Sequence, residues 1–332
     1  QACGRRERGR CRSGFRELAA VSGDDLPAAL IREFDSSIRT GSGASPLPVF
    51  AFDSGFECLP RRRGLVSRHA DRNRRYHDRV APRYDSIYAK DAYWDFYRAV
   101  TWEHLKRFLP TDLSLPVLDA GCGFGGVMLD LIGRVGGSAV GLTLSPAQAL
   151  EARRAVGRAG WSDRIDVLVQ TYDAPPEGPF NLVLAIESLA HSPDPERSIG
   201  ALARRLAPGG VFIVVDDMPE PGAEDSDDLA RFKSGWHCPV LWSVSRYQTA
   251  LHALGLTTEF EDLTAECRPR ELAAIERLEQ WNRVARTIVP LDAWRTTLES
   301  YAGGLALERL YRRGLVRYGL FVASRATRAT RA

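Results

Sequence analysis

The chain has 332 residues, with 45 Lys and Arg against 42 Asp and Glu, so its formal net charge is only +3. A charge this small gives no support to nucleic-acid binding, and no apolar run approaches the roughly 20 residues that cross a bilayer. The six cysteines form no Cys-x-x-Cys pair, which favours free thiols in the cytoplasm over a disulfide framework or a zinc site.

Residues 1–70 match no packed element. Arginine is interspersed with Gly, Ser and Pro in this stretch, for example from Arg5 to Arg12 and from Arg61 to Arg63. This composition favours a disordered arm. An arm that binds nucleic acid is the functional alternative. We expect no nucleic-acid partner.

Residues 71–112 have a different character and predict an N-terminal helical lid of two short helices. Ten apolar positions, seven of them aromatic, recur at a spacing that suits helices: Tyr76, Val80, Tyr84, Ile87, Tyr88, Tyr93, Trp94, Tyr97, Trp102 and Leu105. Most of these side chains suit packing on a sheet edge. We predict that Tyr88, Tyr93 and Trp94 contact substrate instead, because aromatic faces attract cations.

A glycine-rich motif then predicts a strand, a tight turn and a helix. Residues 117–126 are Val-Leu-Asp-Ala-Gly-Cys-Gly-Phe-Gly-Gly, in which an apolar run ends in Asp119 and the glycines let a ligand lie against bare backbone. The glycines also fit the Gly-x-Gly-x-x-Gly fingerprint of dinucleotide-binding folds. That fingerprint needs an acid at the end of the second strand, where Thr143 stands.

With its acid two residues before the first glycine, this motif resembles motif I of the class I S-adenosylmethionine (SAM) methyltransferases. The resemblance implies an α/β fold, a Rossmann-like seven-stranded sheet that is mostly parallel with the last strand antiparallel. It also implies that SAM is the cofactor. Four residues of the motif are thereby assigned to SAM: Asp119, Gly121, Gly123 and Gly125.

The rest of the chain alternates strands and helices as a doubly wound sheet requires. Later strands are predicted at 138–142, 165–169, 180–186, 211–215, 257–264 and 316–324. Helices are predicted at 149–159, 196–206, 243–254, 271–285 and 291–313. The predicted methyltransferase domain is therefore 113–325, with a lid insert at 219–256 before strand six, a helical segment at 269–313 and a tail at 326–332.

Residues 141–145, Gly-Leu-Thr-Leu-Ser, together with Gln148 resemble the cyclopropane-fatty-acid synthase branch of these enzymes. That resemblance assigns six further residues to the SAM pocket: Thr143, Leu144, Gln148, Tyr172, Asp173 and Ile186. Hydroxyl, amide and carboxylate groups among them suit ribose and adenine. Two departures matter. Asn181 replaces the Asp common in strand four, and Ala190 replaces the carboxylate that helps to bind bicarbonate, which argues against cyclopropanation.

The carboxylate after strand four is instead Glu187, in residues 186–194, Ile-Glu-Ser-Leu-Ala-His-Ser-Pro-Asp. This segment is similar to those of sterol, tocopherol and geranyl diphosphate C-methyltransferases. Methyl transfer to an alkene carbon leaves a cation, which Glu187 would stabilise and then deprotonate. His191 is the second catalytic candidate, as a general base for a hydroxyl. The plainer alternatives are that Glu187 contacts the SAM amino group and that His191 only packs.

Trp236 and His237 are predicted to contact substrate, because they follow an acidic loop where a lid would close. Three acids, Asp216, Asp217 and Asp228, are candidate ligands for Mg²⁺ if the substrate is a diphosphate, although acids at a strand end and in a loop are more often solvated. No metal site is otherwise indicated.

The leading hypothesis is a SAM-dependent C-methyltransferase of terpene or other secondary metabolism. Its substrate would be a small isoprenoid or alkene, for example a prenyl diphosphate. An O- or N-methyltransferase of a small natural product, with His191 as base, is the enzymatic alternative. A SAM-binding regulatory or nucleic-acid-associated protein is the non-enzymatic alternative, and the arginine-rich arm is its sole support. The expected partner is a small-molecule substrate, with no membrane span. Nothing in the sequence fixes an oligomeric state.

Overall fold

A computed structural model describes residues 63–81, 95–111, 113–288 and 292–325. These ranges contain seven strands: β1 (Val117–Ala120), β2 (Ala139–Thr143), β3 (Ile165–Val169), β4 (Phe180–Ile186), β5 (Leu206–Pro219), β6 (Thr257–Asp262) and β7 (Val316–Ser324). They form one sheet in the order β3-β2-β1-β4-β5-β7-β6. Strands β1 to β5 are parallel, and β7 runs antiparallel to β5 and β6. The predicted Rossmann-like α/β fold is confirmed.

The described helices of eight residues or more are α1 (Arg63–Val80), α2 (Gly126–Val135), α3 (Pro146–Arg158), α4 (Pro195–Ala203), α5 (Asp227–Gly235), α6 (Val244–Ala253), α7 (Leu272–Ile288) and α8 (Asp292–Arg312). Between α1 and β1, a π-helix (Tyr97–Trp102) continues into a turn of α-helix (Glu103–Leu105) and a 3-10 turn (Lys106–Phe108). Shorter helical turns are Leu189–His191, Ala223–Asp225 and Thr264–Cys267. None of the helices in the described ranges is long and apolar enough to cross a membrane.

Two helices that follow strands begin at residues typical of helix N-termini. The Ser145 hydroxyl accepts from the backbone N–H of Gln148 and caps α3, and the Asp194 carboxylate accepts from Arg197 and caps α4. Each cap is followed by proline, which suits the first helical position because it needs no N–H there. The chain therefore turns sharply after β2 and soon after β4, at the edge of the sheet where ligands bind in this architecture.

The core lies on both faces of the sheet. Central strands are buried on both sides, as parallel strands with helices on both faces must be. The face that carries Val117 and Leu184 is covered by α2, α3 and the helical segment 97–108. The opposite face, which carries Leu118 and Val183, packs on α4 and α6.

Three predicted boundaries are wrong. Helix α1 begins at Arg63, inside the predicted arm, because its sequence suits an amphipathic helix: from residue 68 onward its arginines are exposed or half-buried, while Asn73 and Tyr76 are buried. Strand β5 begins at Leu206, before the predicted strand at 211–215, because the chain continues through an irregularity in which Gly209 has φ +77°. The predicted acidic loop is shorter than expected, since the Ser226 hydroxyl caps α5.

Several predictions fall on residues outside the described ranges. They are the arm from 1 to 62, the tail at 326–332, and the substrate-contacting roles of Tyr88, Tyr93 and Trp94. Four of the ten apolar positions predicted in the helical lid are buried in the core: Tyr76, Tyr97, Trp102 and Leu105.

A buried ion-pair network joins α5 to the last helix. The Asp228 carboxylate accepts from Arg309 at 2.7 Å and from Arg313 at 3.1 Å, and Arg309 also pairs with Glu279 on α7 at 2.6 Å. Asp228 and Arg309 are only 5% and 8% exposed. Asp228 is therefore a structural residue.

We expect Arg309→Met to lower the free energy of unfolding by about 3–5 kcal/mol, because it leaves a buried carboxylate without its main partner. Urea denaturation measures the loss. Arg312→Met, on the same helix and paired with the exposed Glu271, is the control. Adding Asp228→Asn to Arg309→Met should restore part of the stability. Equal stability of the Arg309 and Arg312 variants would contradict a structural role for the network.

Candidate active site

The glycine turn after β1 is tight and leaves bare backbone. Gly121, Gly123 and Gly125 have φ values of +100°, +51° and +79°, which side chains rarely adopt. A Cβ at Gly121 would lie 2.4 Å from the Cβ of Ser188, whereas a Cβ at Gly123 would meet nothing within 4 Å. Gly121 thus brings β1 and β4 together, and Gly123 borders open space that a ligand can fill.

Asp119, at the end of β1, has a carboxylate oxygen that lacks a partner. The residue is 2% exposed, and its Oδ2 makes no hydrogen bond within the described part of the chain. Burial raises the pKa of this carboxyl group from 3.8 to about 7. A buried acceptor without a donor is costly. The hydroxyl and amino groups of SAM would supply such a donor, so the turn fits the cofactor.

The end of β2 carries the predicted ribose-binding groups. The Thr143 hydroxyl donates to Gln148 Oε1 at 2.7 Å, and the Gln148 amide nitrogen donates to His77 Nδ1 on α1 at 3.3 Å. The Ser145 hydroxyl donates to Asp78, the next residue of α1. Helix α1 is therefore attached directly to this part of the predicted SAM pocket.

The groups predicted at the adenine end have partners of their own. The Tyr172 hydroxyl donates to the carbonyl of Ser188 at 3.2 Å, and the Asp173 carboxylate accepts from Ser198. Ile186 is buried at the end of β4. Leu144 is half-buried in the turn after β2. All the residues assigned to SAM thus lie at the carboxyl ends of β1 to β4, and their roles remain predictions.

Glu187 occupies a backbone conformation that is unusual for its residue type. It follows β4 directly and has φ +49°, although it is not glycine. The Tyr318 hydroxyl on β7 donates to its Oε1 at 2.8 Å. Strand alternation would place this side chain on the sheet face opposite Ile186, but the positive φ turns it to the same face, where Tyr318 lies. Strained residues of this kind cluster at functional sites.

Two further carboxylates lie at the adjoining end of β5. Asp216 accepts from the backbone N–H of Ala190 at 2.8 Å, and burial raises its pKa to about 7. Asp217 accepts from the hydroxyl of Tyr311, and burial raises the pKa of its carboxyl group as well. Asp217 pairs across the sheet with Tyr318, so its side chain shares the face that Glu187 has turned to.

His191 belongs to a group of aromatic and histidine rings under α1. Its ring lies 5.4 Å from that of His77, and Tyr76 lies 4.5 Å from His237. Burial lowers the pKa of His77 to about 3 and that of His191 to about 4. These two rings are therefore neutral at pH 7, and His191 Nδ1 has no hydrogen-bond partner within the described residues.

Trp236 and His237, the other two residues predicted to contact substrate, have different surroundings in the structure. His237 has φ +56° and faces Tyr76 of α1, above the strand ends. Trp236 packs against Gly303 of α8, where a Cβ would lie 2.8 Å from the indole. Contact with substrate stays a prediction for both residues, and the surroundings of Trp236 are those of a packed side chain.

The three acids proposed for Mg²⁺ do not converge. Asp216 and Asp217 project from opposite faces of β5, and Asp228 is engaged by arginines. Within the described residues, no group of three or more His, Cys, Asp or Glu side chains is arranged to hold a metal ion.

Residues 93–261, just over half of the chain, match the family described as a methyltransferase domain. The chain belongs to this family. A solved geranyl diphosphate methyltransferase in complex with SAM is 25% identical, with a TM-score of 0.54, and the match covers 68% of this chain and 84% of that one. The resemblance of the glycine motif to SAM methyltransferases is thus confirmed.

Two relatives of known sequence are similar over part of their length. "Probable tocopherol O-methyltransferase, chloroplastic" of Oryza sativa subsp. japonica is 30% identical over 61% of this chain. Sterol 4-C-methyltransferase strm-1 of Caenorhabditis elegans is 29% identical over 52% of this chain. The matches span 58% and 49% of those two proteins.

Some residues at the site carried no recognisable signal in the sequence. Tyr318 and Tyr311 donate to the two carboxylates of one sheet face, and His77 and Asp78 contact the end of β2. None of the four belongs to a motif. The ten apolar positions predicted in the helical lid included Tyr76 but not its neighbours His77 and Asp78, because helical spacing identifies only apolar positions.

We expect Asp119→Asn to weaken SAM binding by about tenfold or more, because a hydrogen bond to a charged group contributes about 1.5–3 kcal/mol. The same variant should stabilise the ligand-free protein at high pH. The folded pKa of about 7 lies above the unfolded 3.8, so the folded state binds more protons and stability falls as pH rises between these values.

Melting temperatures at pH 5 and pH 8, together with calorimetric titration of SAM, check this expectation. The variant should exceed the native protein in melting temperature by more at pH 8 than at pH 5, because the destabilising effect of Asp119 grows until the pH passes its folded pKa; each change of about 1 kcal/mol moves the melting temperature of a large domain by about 2–4 °C. Asp163→Asn, an exposed acid, is the control. Unchanged SAM affinity would remove Asp119 from the cofactor site.

Proposed function

We propose that the protein is a SAM-dependent C-methyltransferase of a small isoprenoid or related alkene, and that Glu187 is its catalytic base. The observation that carries this proposal is the position of Glu187. Its positive φ turns a largely buried carboxylate onto the sheet face that it shares with Tyr318 and Asp217, directly after the strand that packs on the glycine turn. A carboxylate there is suited to a developing positive charge.

Bound SAM would supply an electrophilic methyl group, whose bond to sulfur would break with the electron pair staying on sulfur, so that a neutral thioether would leave. As the alkene π electrons form the new carbon–carbon bond, positive charge develops on the neighbouring carbon of the substrate, and Glu187 stabilises it. Glu187 then accepts a proton from the carbon next to the cation, and the electrons of that C–H bond restore the double bond. Glu187 must be ionised to do this. Burial raises its pKa, and the hydrogen bond from Tyr318 opposes that rise.

The charges around Glu187 favour a neutral alkene over a prenyl diphosphate. Its ionisable neighbours Asp216 and Asp217 are acidic and would repel a diphosphate. Two cationic side chains of the described residues are engaged elsewhere: Lys106 pairs with Glu103, and Arg246 lies over the ring of Trp242. A requirement for Mg²⁺ therefore has no support from the described residues.

O-methylation is the second candidate function. It is favoured by His191 Nδ1, which has no hydrogen-bond partner in the described part of the chain and is able to take a proton from a substrate hydroxyl. The Oryza sativa relative carries an O-methyltransferase name. Action in the cytoplasm is part of both proposals, and the free buried thiols Cys122, Cys238 and Cys267 agree with a reducing compartment.

We expect Glu187→Gln to slow single-turnover methyl transfer by about 10²–10⁴-fold, which is the usual contribution of a general base, and to change SAM affinity little. Glutamine keeps the shape of the side chain and loses its charge. His191→Ala should be milder. An O-methyltransferase that uses His191 as base should show the reverse order.

The substrate for this comparison is found by incubating the protein and SAM with prenyl diphosphates, sterols and phenols, and detecting a gain of one methyl group by mass spectrometry. Calorimetry measures SAM affinity separately for both variants. If Glu187→Gln keeps most of its methyl-transfer rate and binds SAM with normal affinity, the carbocation mechanism is excluded. Loss of SAM binding alone would place Glu187 in the cofactor site.

A further inference from the structure

The carboxylate of Glu187 is the end of a chain of hydroxyl groups. The Tyr318 hydroxyl donates to Glu187 Oε1 at 2.8 Å, and Thr101 Oγ1 lies 3.2 Å from the same tyrosine oxygen. A tyrosine hydroxyl has one hydrogen to donate. When Glu187 is ionised, that hydrogen goes to the carboxylate, so Thr101 is the donor in the second bond. The direction of both bonds is thereby fixed.

Tyr318 is held rigidly from the backbone outward. Its N–H donates to Thr264 Oγ1 at 2.9 Å, and its carbonyl accepts from the N–H of Leu263 at 2.8 Å. The side chain is 3% exposed, and its ring lies 5.7 Å from that of Phe96. The hydroxyl therefore has little freedom to follow Glu187 if the carboxylate moves.

Thr101 reaches the chain from an unusual helix. It is 1% exposed in the π-helix Tyr97–Trp102, which covers this face of the sheet. Single π-helical turns are rare and often occur at functional sites. The buried Thr101 hydroxyl would be costly without a partner, and Tyr318 supplies that partner.

We propose that Tyr318, supported by Thr101, is a positioning residue that holds Glu187 on the substrate face and keeps it ionised. This inference rests on the proposed function, because it concerns the base named there. Oε1 is engaged by Tyr318, and Oε2 makes no hydrogen bond among the described residues, so one oxygen is fixed while the other is left to accept a proton.

The surroundings of Glu187 explain why such support is needed. Asp217 faces it from β5 and bonds to Tyr311 of α8, Cys267 lies in the turn after β6, and Asp216 acts on it electrostatically from the opposite face of β5. Every one of these groups is acidic or neutral. Burial and acidic neighbours both disfavour the charged carboxylate. The hydroxyl of Tyr318 opposes them by donating to it.

The test is to titrate Glu187 in the full-length protein labelled with ¹³C at the glutamate side-chain carboxyl. NMR spectra recorded across pH follow the carboxyl signals, and the signal lost in Glu187→Gln assigns the residue. Tyr318→Phe removes the hydroxyl and keeps the ring beside Phe96. We expect the pKa of Glu187 to rise by about one unit, because a hydrogen bond to a charged group contributes about 1.5–3 kcal/mol and 1.36 kcal/mol corresponds to one unit.

Two further variants make the result specific. Tyr247→Phe removes another buried hydroxyl that donates to a carboxylate, Asp216, on the opposite face, and it should shift Glu187 far less. Thr101→Val leaves Tyr318 in place and should shift the pKa of Glu187 in the same direction by a smaller amount. It also serves if Tyr318→Phe folds poorly.

Single-turnover rates against pH, on whichever panel compound accepts a methyl group, give the second readout. The acid side of the profile should move to higher pH in Tyr318→Phe by the same shift as the NMR titration, with SAM affinity unchanged. A titration of Glu187 that superimposes on that of the native protein would overturn the inference, even if Glu187→Gln is inactive. A different result would contradict the proposed function, namely a Glu187→Gln variant that keeps most of its methyl-transfer rate.

Discussion

The close packing of the Gly121 backbone on Ser188 is the contact that the rest of the site depends on. No side chain fits between them, and the Ser188 hydroxyl also donates to the carbonyl of Ala120 at 2.6 Å. The turn after β1 is therefore joined at its first residue to the second residue of the turn after β4. One turn carries the backbone that suits SAM, and the other places Glu187 beside it.

A concentration of buried acids distinguishes this end of the sheet. Asp119, Asp216, Asp217 and Glu187 all have carboxyl groups whose pKa is raised by burial. Three of these groups accept hydrogen bonds from neutral donors: Glu187 and Asp217 from tyrosine hydroxyls, and Asp216 from a backbone N–H. An arrangement of this kind keeps strong acceptors available without a neutralising cation, which suits a reaction in which positive charge develops on an apolar substrate.

The sequence predicted the sheet well, because each strand is a short apolar run bounded by polar residues, glycine or proline. The predicted bounds of the third, fourth and seventh strands coincide with those of β3, β4 and β7. The glycine turn and Glu187 were also found, since a motif marks the first and a strand end marks the second. The strand at 211–215 was too short because glycines within β5 imitate a turn.

What the sequence could not predict depends on long-range contacts and on local strain. Tyr318 lies 131 positions from Glu187, and only the pairing of β7 with β5 brings it near. The positive φ of Glu187 has no signal, because the residue is not glycine. The grouping of His77, His191 and His237 likewise requires that α1 fold over the strand ends.

That position of α1 has a kinetic consequence. Asp78 and His77 bond to Ser145 and Gln148, beside the pocket assigned to SAM, and the Tyr76 hydroxyl bonds to Ser300 at 2.8 Å on the far side. A helix fastened at both sides of a pocket has to lift before a bound nucleoside can leave. If SAM binds in the predicted pocket, exchange of the spent cofactor waits on the opening of this segment, and that motion then limits turnover, however rapid the chemistry beneath it.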